Sequence, residues 1–339
     1  LDNGNRSILS HMLRTEIEKN IQLGQQTMLF LNRRGHSSFV LCRNCGYVIR
    51  CRGCSISMTY HSKDQRLICH YCGYTIKKPE ECPRCKSKYI KQFGIGTQKV
   101  EEDVREMFPK ASVIRMDMDT TTGKNSHEKI LNTFKDEKID ILVGTQMIAK
   151  GHDFSNVTLV GVIAADSLLY MGDYRASERT FQLLTQVAGR AGRGNISGRV
   201  VVQTYNTENF SIKAAASHNY LEFYKQEIIA RRKLNFPPFI NIGIAVVNGV
   251  FDNEVYNQAC EIYKKIENFS NGDSSFEVFS PARAPLARVK NRFRWRIIIK
   301  CTVIEKLLHL MTLISDDFYK KKKRTGVNLS IDINPNNML

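Results

Sequence analysis

Four Cys-x-x-Cys pairs lie close together in this chain, at Cys42/Cys45, Cys51/Cys54, Cys69/Cys72 and Cys82/Cys85. A two-residue gap lets both sulfurs of a pair reach one metal ion at about 2.3 Å. Gly46 and Gly73 directly follow second cysteines, where glycine accepts a tight turn that aims backbone N–H groups at the thiolates. Eight thiolates make two tetrahedral zinc sites of four cysteines each. The loops between successive pairs are five, fourteen and nine residues long. Joining Cys51 and Cys54 to Cys69 and Cys72 comes close to zinc-ribbon spacing. Cys42, Cys45, Cys82 and Cys85 would then close the other site, giving a nested arrangement; a crossed pairing satisfies the same count. Disulfides are disfavoured by the lack of an export signal and by a reducing cytosol. Paired knuckles also favour structural zinc over an iron–sulfur cluster. From Cys42 to Lys91 there are eleven Lys and Arg against three Asp and Glu, and few aliphatic side chains. Metal must therefore supply much of this segment's folding free energy. Cys260 and Cys301 stand alone in apolar surroundings and read as core residues.

The 339 residues suit two or three domains. With 42% hydrophobic and 24% charged residues, whole-chain disorder, a collagen repeat and a disulfide-stapled miniprotein are excluded. A net charge of +17 favours a polyanionic partner, nucleic acid first and an acidic membrane surface second. No run of 18 apolar residues exists to span a bilayer. The first thirty residues are polar and periodic rather than signal-like, so a cytoplasmic protein is expected. The chain begins at Leu1 rather than Met and reads as a piece of something longer.

Apolar patterning predicts an α/β order: a helix over 7–23 stopped by Gly24, then a buried strand over 27–32. After the cysteine segment come a helix over 97–108, strands over 112–116, 140–144 and 157–165 with a helix over 126–134, a helix over 176–187 and a strand over 199–204. The apolar strand runs suit a parallel, doubly wound sheet with helices on both faces. A helix over 217–234 leads to Phe236-Pro237-Pro238-Phe239, a domain boundary. Beyond it the order strand 240–248, helix 253–269, strand 276–280, strand 293–301, helix 305–316, strand 327–333 is the ferredoxin-like βαββαβ pattern. The predicted division is 1–35 with 93–216 as one lobe, 36–92 as an inserted zinc module, 217–238 as a helical linker and 239–339 as an α+β domain.

Three clusters could carry chemistry. In Gln186-Val-Ala-Gly189-Arg190-Ala-Gly192-Arg193, glycines allow close backbone approach and two arginines offer forked donors to a phosphate. Gly144-Thr145-Gln146-Met-Ile-Ala-Lys150-Gly151-His152-Asp153 follows a predicted parallel strand, where open sheets place ligands. Gly94-Ile-Gly96-Thr97 opens a helix, whose first N–H groups suit a phosphate. Arg33 and Arg34 end a strand. No G-x-x-x-x-G-K-[ST], DExH or DEAD motif occurs in these residues, so the parts for independent ATP hydrolysis are not present.

GTQMIAKGHDF from Gly144, Ala165-Asp166, DYRASER from Asp173 and QVAGRAGR from Gln186 resemble the second RecA-like lobe of superfamily 2 helicases. FLNRRGHSS followed by the cysteine pairs narrows the resemblance to the C-terminal half of the PriA family of bacterial replication-restart DNA helicases. FPPF and WRIIIK fit as well. The resemblance covers nearly the whole chain. It implies a helicase lobe carrying a zinc insert and a ferredoxin-like domain, within an ATP- and Mg²⁺-dependent 3′–5′ DNA helicase. Arg190, Arg193 and Gln186 would be catalytic. Gly151, Asp153 and Gly189 would line the nucleotide. Thr145, Gln146, Gly96, Thr97, Lys150 and Arg33 would contact DNA. The family pattern also favours the nested zinc pairing. Implied partners are forked and single-stranded DNA, other primosome proteins and single-strand-binding protein, engaged by a monomer. Without the first lobe, this chain is not expected to hydrolyse ATP. The competing readings are another RNA or DNA translocase of the superfamily, and a non-catalytic zinc-dependent DNA-binding scaffold.

Overall fold

The computed structural model describes residues 7–31, 39–62, 64–94, 96–117, 119–121, 125–145, 148, 154–192, 196–320 and 326–338. Helix α1 (His11–Gln22) is N-capped by Ser10, whose hydroxyl accepts from Leu13 N–H, and ends before Gly24 at φ +64°. It leads into β1 (Gln26–Leu31), buried along its whole length. The chain then leaves as an antiparallel ribbon of β2 (Phe39–Cys42) and returns through β6 (Ile90–Phe93). Between them a small sheet holds β3 (Thr59–His61), β4 (Arg66–Ile68) and β5 (Thr75–Lys77). The ribbon is anchored by Phe39 stacked on Phe93 at 5.1 Å, with Phe93 edge-on to Tyr205.

After the ribbon come α2 (Thr97–Met107), β7 (Val113–Met116), α3 (Ser126–Asp136), β8 (Ile141–Gly144) and β9 (Val157–Ile163). A short α4 (Asp166–Leu169), α5 (Ala176–Ala188) and β10 (Arg199–Val202) complete a five-stranded sheet of order β10-β9-β1-β8-β7, parallel at every pairing. Both faces of β1 and β9 are covered, which explains why their sequences are unbroken apolar runs rather than alternating ones. Gly161 lets α1 approach: a Cβ there would lie 2.8 Å from side-chain carbons of Leu13 and Leu29.

The helix expected over 217–234 forms over 220–233, and a shorter helix that the pattern did not mark precedes it. α6 (Phe210–Ala216) and α7 (Tyr220–Lys233) are separated by a turn at which His218 takes φ +50°. Asn219 caps α7 by accepting from Glu222 N–H at 3.0 Å, a polar side chain that favours a new helix start over continuation. α7 is docked on the lobe: Phe223 stacks on Phe181 at 4.4 Å, and both belong to the lobe's core.

The last hundred residues form β11 (Asn241–Gly249), α8 (Asp252–Ser270), β12 (Phe276–Val278), β13 (Ala282–Val289), β14 (Arg292–Cys301), α9 (Ile304–Lys320) and β15 (Asn328–Ile333). The antiparallel order β12-β14-β11-β15 is the ferredoxin-like arrangement, with β13 as an added edge strand beside β14. Strand periodicity gives this sheet two buried faces. Ala245, Val247, Ile297 and Ile299 meet the helices, while Ile242, Ile244 and Ile298 pack on the cysteine insert.

Arg296 sits at that second interface, 4% exposed. Its Nε and Nη2 donate to His70 O at 3.1 and 2.6 Å, and its Nη1 donates to Met338 O. Burial pushes its guanidinium down to about 10. Arg296→Met would leave two buried carbonyls without donors. A loss of about 2–4 kcal/mol is expected in denaturant unfolding, with faster proteolysis of the insert. An unchanged midpoint would show that the contact is incidental.

Candidate functional site

The cysteine sulfurs gather into two sets: Cys42, Cys45, Cys82 and Cys85, and Cys51, Cys54, Cys69 and Cys72. Within each set the ligand atoms lie within 4.8 Å of one another, in the nested pairing. Sγ–Sγ distances of 3.6 Å (Cys42–Cys85), 3.7 Å (Cys45–Cys82) and 3.5 Å (Cys51–Cys72) suit a tetrahedral shell with metal–sulfur bonds of about 2.3 Å. All four knuckles share one backbone design. The N–H groups of Gly46, Ser55, Gly73 and Lys86 donate to the carbonyls of Cys42, Cys51, Cys69 and Cys82, each at 2.9 Å. These four donors have φ of +70°, +56°, +74° and +59°. The glycines were legible as turn residues. Ser55 and Lys86 take the same left-handed turn without the residue type that signals it.

The thiols' protonation shows what a cation would supply. In the second set, hydrogen bonding from Cys54 and then backbone N–H groups of Cys72 and Tyr71 hold Cys69 down to about 5. Cys54 moves up in return, and burial pushes Cys72 up to about 12. In the first set the Ser87 N–H holds Cys85 down to about 6, while burial pushes Cys45 up to about 12. One thiol in each set is held down, while Cys54 and Cys72 in one set and Cys42 and Cys45 in the other are pushed up. A divalent ion offsets that upward push and so fits both sets as a structural centre.

The two sets face different bodies. The first lies by the lobe, where a Cβ on Gly46 would come 2.6 Å from Tyr205 O. The second lies by the C-terminal sheet, through the Arg296–His70 contact. Tyr71 is fully buried there, edge-on to Phe236, which stacks on Tyr174 at 4.9 Å.

On the lobe, the predicted nucleotide and DNA residues divide between opposite ends of the sheet. Thr145 follows β8 at the strands' C-terminal edge, donating from its N–H to Met116 O at 3.4 Å. Gly96 and Thr97 lie at the same edge, because the Thr97 hydroxyl donates to Asp117 Oδ2 at 2.5 Å just after β7. Thr97 is completely buried with its hydroxyl committed to Asp117, so what it can offer a phosphate is the backbone N–H of this helix start, the group named for that contact. Asp117 also accepts from Arg115 and from the N–H groups of Asp119 and Thr120, a hub that motif reading missed. Gln186, Gly189 and Arg190 lie at the other edge, where α5 ends. There Gly192 N–H donates to Val157 O at 3.0 Å, at the start of β9. A Cβ on Gly198 would lie 2.3 Å from backbone atoms of Ala191 and Gly192, so that glycine admits the turn carrying Arg190. The seven residues of β9 place the two edges about 20 Å apart. Arg33, Gln146, Lys150, Gly151, Asp153 and Arg193 lie outside the described residues. In the Ala165-Asp166 motif, Asp166 is buried and its acid is pushed up to about 6 by desolvation, against hydrogen bonds from Tyr205 N–H and Thr204.

Comparison with known proteins now joins these parts. Family models match residues 51–77 as a PriA DNA helicase Cys-rich region domain, 86–195 as a helicase conserved C-terminal domain and 232–336 as a primosomal protein N C-terminal domain. Replication restart protein PriA of Bacillus subtilis is 46% identical over 341 residues, covering 100% of this chain and 42% of that protein. The chain belongs to the PriA family. The PriA protein of Synechocystis is 42% identical, over 99% of this chain and 40% of its own length. That of Chlamydia trachomatis is 36% identical, over 94% and 42%. The chain thus spans about two-fifths of the length of these PriA relatives.

Three outcomes are expected. Cys69→Ser should lower zinc from two equivalents per chain to about one and loosen the insert, with the lobe's circular dichroism retained; acid should release zinc, because ligation needs thiolates. Elemental analysis across pH checks both, and undiminished zinc in the variant would contradict the ligand set. Gly198→Ala should cost about 1–3 kcal/mol through backbone overlap with the Arg190 turn, read by thermal unfolding.

Proposed function

We propose that this chain is the C-terminal part of an ATP-dependent 3′–5′ DNA helicase that recognises stalled or abandoned replication forks and assembles the primosome there. The observation that carries the reading is the QVAGRAGR turn, which ends α5 at one edge of a parallel sheet whose neighbouring strand opens into the two-cluster insert. Membership of the PriA family supports it. Bound between this lobe and a first lobe, ATP with Mg²⁺ would supply the phosphoryl group for transfer to water. Arg190, with Arg193, would meet the γ-phosphate as forked donors, Gln186 would link nucleotide state to DNA, and Gly151, Asp153 and Gly189 would line the nucleotide. Thr145 and the backbone at Gly96 and Thr97 would hold DNA phosphates at the opposite edge, and Gln146, Lys150 and Arg33 are proposed as further DNA contacts. The separation of the edges gives each polyanion its own surface. Zinc in both cysteine sets would fix the insert as a rigid platform. Primosome proteins and single-strand-binding protein are the proposed protein partners of a cytoplasmic monomer. No helix among the described residues is long and apolar enough to cross a membrane.

The test uses the full-length protein. Arg190→Ala should lower DNA-stimulated ATP turnover by roughly 10³-fold while leaving fork affinity nearly unchanged. Normal turnover would remove the arginine assignment. Fork affinity should fall steeply with salt, as phosphate neutralisation requires, and a flat dependence would count against DNA as the partner.

A further inference from the structure

The DYRASER segment does no chemistry in the arrangement above, yet its charged side chains are engaged by the far end of the chain. Arg175 Nη1 donates to Pro335 O, and Arg179 Nη2 donates to Asn336 O, each at 2.7 Å. Asp173, whose side chain is fully buried, pairs with Arg179 at 3.1 Å and accepts from Met338 N–H at 3.4 Å. Met338 is 1% exposed, and its carbonyl takes the Arg296 guanidinium. At its near end the segment is tied to the ferredoxin-like sheet: Asn334 exchanges backbone and side-chain hydrogen bonds with Ile242 at 2.7 and 2.9 Å. Residues 334–338 therefore join the C-terminal sheet, the cysteine insert behind Arg296, and the start of α5.

α5 connects this junction to the arginine turn. It starts at Arg175 and Arg179 and ends in Gln186, Gly189 and Arg190, about 20 Å away at 1.5 Å per residue. Leu183, Leu184 and Val187 fasten it to the lobe core, so it moves as a rod. Its far end rests on Val157 O and against Gly198. The polar grip on its first turn is the contact through which residues 335 and 336 reach it.

We propose that residues 334–338 are a clamp through which the C-terminal domain and the metal insert set the position of Arg190, with Arg175 and Arg179 as positioning residues. The proposal rests on reading Arg190 as the γ-phosphate arginine. A shift of the C-terminal sheet or the insert pulls the clamp, tilts α5 and moves the turn. If the segment merely tidied a chain end, its loss would be felt only at the start of α5.

Amide hydrogen exchange on this chain separates the two readings. The chain ending at Asn334 and the Arg179→Ala variant are each compared with wild type, with zinc content as the check on folding. Exchange at residues 185–192, which includes the Gly192 N–H to Val157 O bond, should rise in both, and Arg179→Lys should restore part of the protection. In the full-length protein both changes should lower DNA-stimulated kcat on the order of fivefold or more with DNA affinity unchanged. Combining them should add little, because both break one clamp. Exchange that rises only near residues 173–179, or in only one of the two variants, would overturn the proposal. A wild-type full-length protein that hydrolyses no ATP with DNA would instead overturn the helicase reading, and the exchange result would still decide the clamp.

Discussion

Each cysteine set holds its sulfur atoms within 4.8 Å of one another, a spacing at which ionised thiols repel strongly unless a divalent cation sits among them. That balance underlies the middle of the molecule. The insert contributes only short strands of three or four residues and few aliphatic side chains, too little to form a hydrophobic core of its own. Its buried residues, Ile49, Met58, Leu67 and Tyr71, instead share one cluster with the sulfurs and with the outer face of the C-terminal sheet. The insert needs both a metal and a neighbour to be solid.

Nesting of the cysteine pairs has an architectural effect. The outer pairs, close to the ribbon, bring the first set against the lobe at Tyr205. The inner pairs carry the second set outward to meet the ferredoxin-like sheet at Arg296. The insert is therefore a spacer with one metal set at each contact. Burying Arg296 is costly unless its donors are used, and they are used on carbonyls from two different bodies. Such an interaction specifies one relative placement, because a shift of either carbonyl leaves a desolvated cation unpaired.

The lobe keeps its two polyanion-facing edges apart by the length of its strands, with α2, β7 and β8 meeting at Asp117 and Thr145 on one edge and the α5 turn on the other. Glycines admit the close approaches on both edges: Gly144 beside Ile148, and Gly198 beside Ala191. Coupling between the edges needs elements that span the sheet, and α5 is one whose two ends are gripped by different parts of the chain.

Much of this was legible in the residues. Cys-x-x-Cys spacing specifies metal ligation locally, and apolar runs such as VTLVGVI specify buried parallel strands. The βαββαβ order carried the ferredoxin-like sheet. β13 was missed because Pro285 and a register shift between Arg283 and Arg288 break the alternation that marks a strand. α6 was missed because seven residues are too few to display a helical period. The Asp117 hub was missed because the Thr97 hydroxyl that donates to it comes from twenty residues away. The sequence by itself determined which residues can bind metal, which segments are strands and helices, and which motifs are present, because these depend on neighbours a few positions away. Only the tertiary structure decided which sulfur set faces which body, which edge each motif occupies, and that the chain's last described residues grip the DYRASER segment. Those facts join positions up to about 230 residues apart, and no local spacing encodes them.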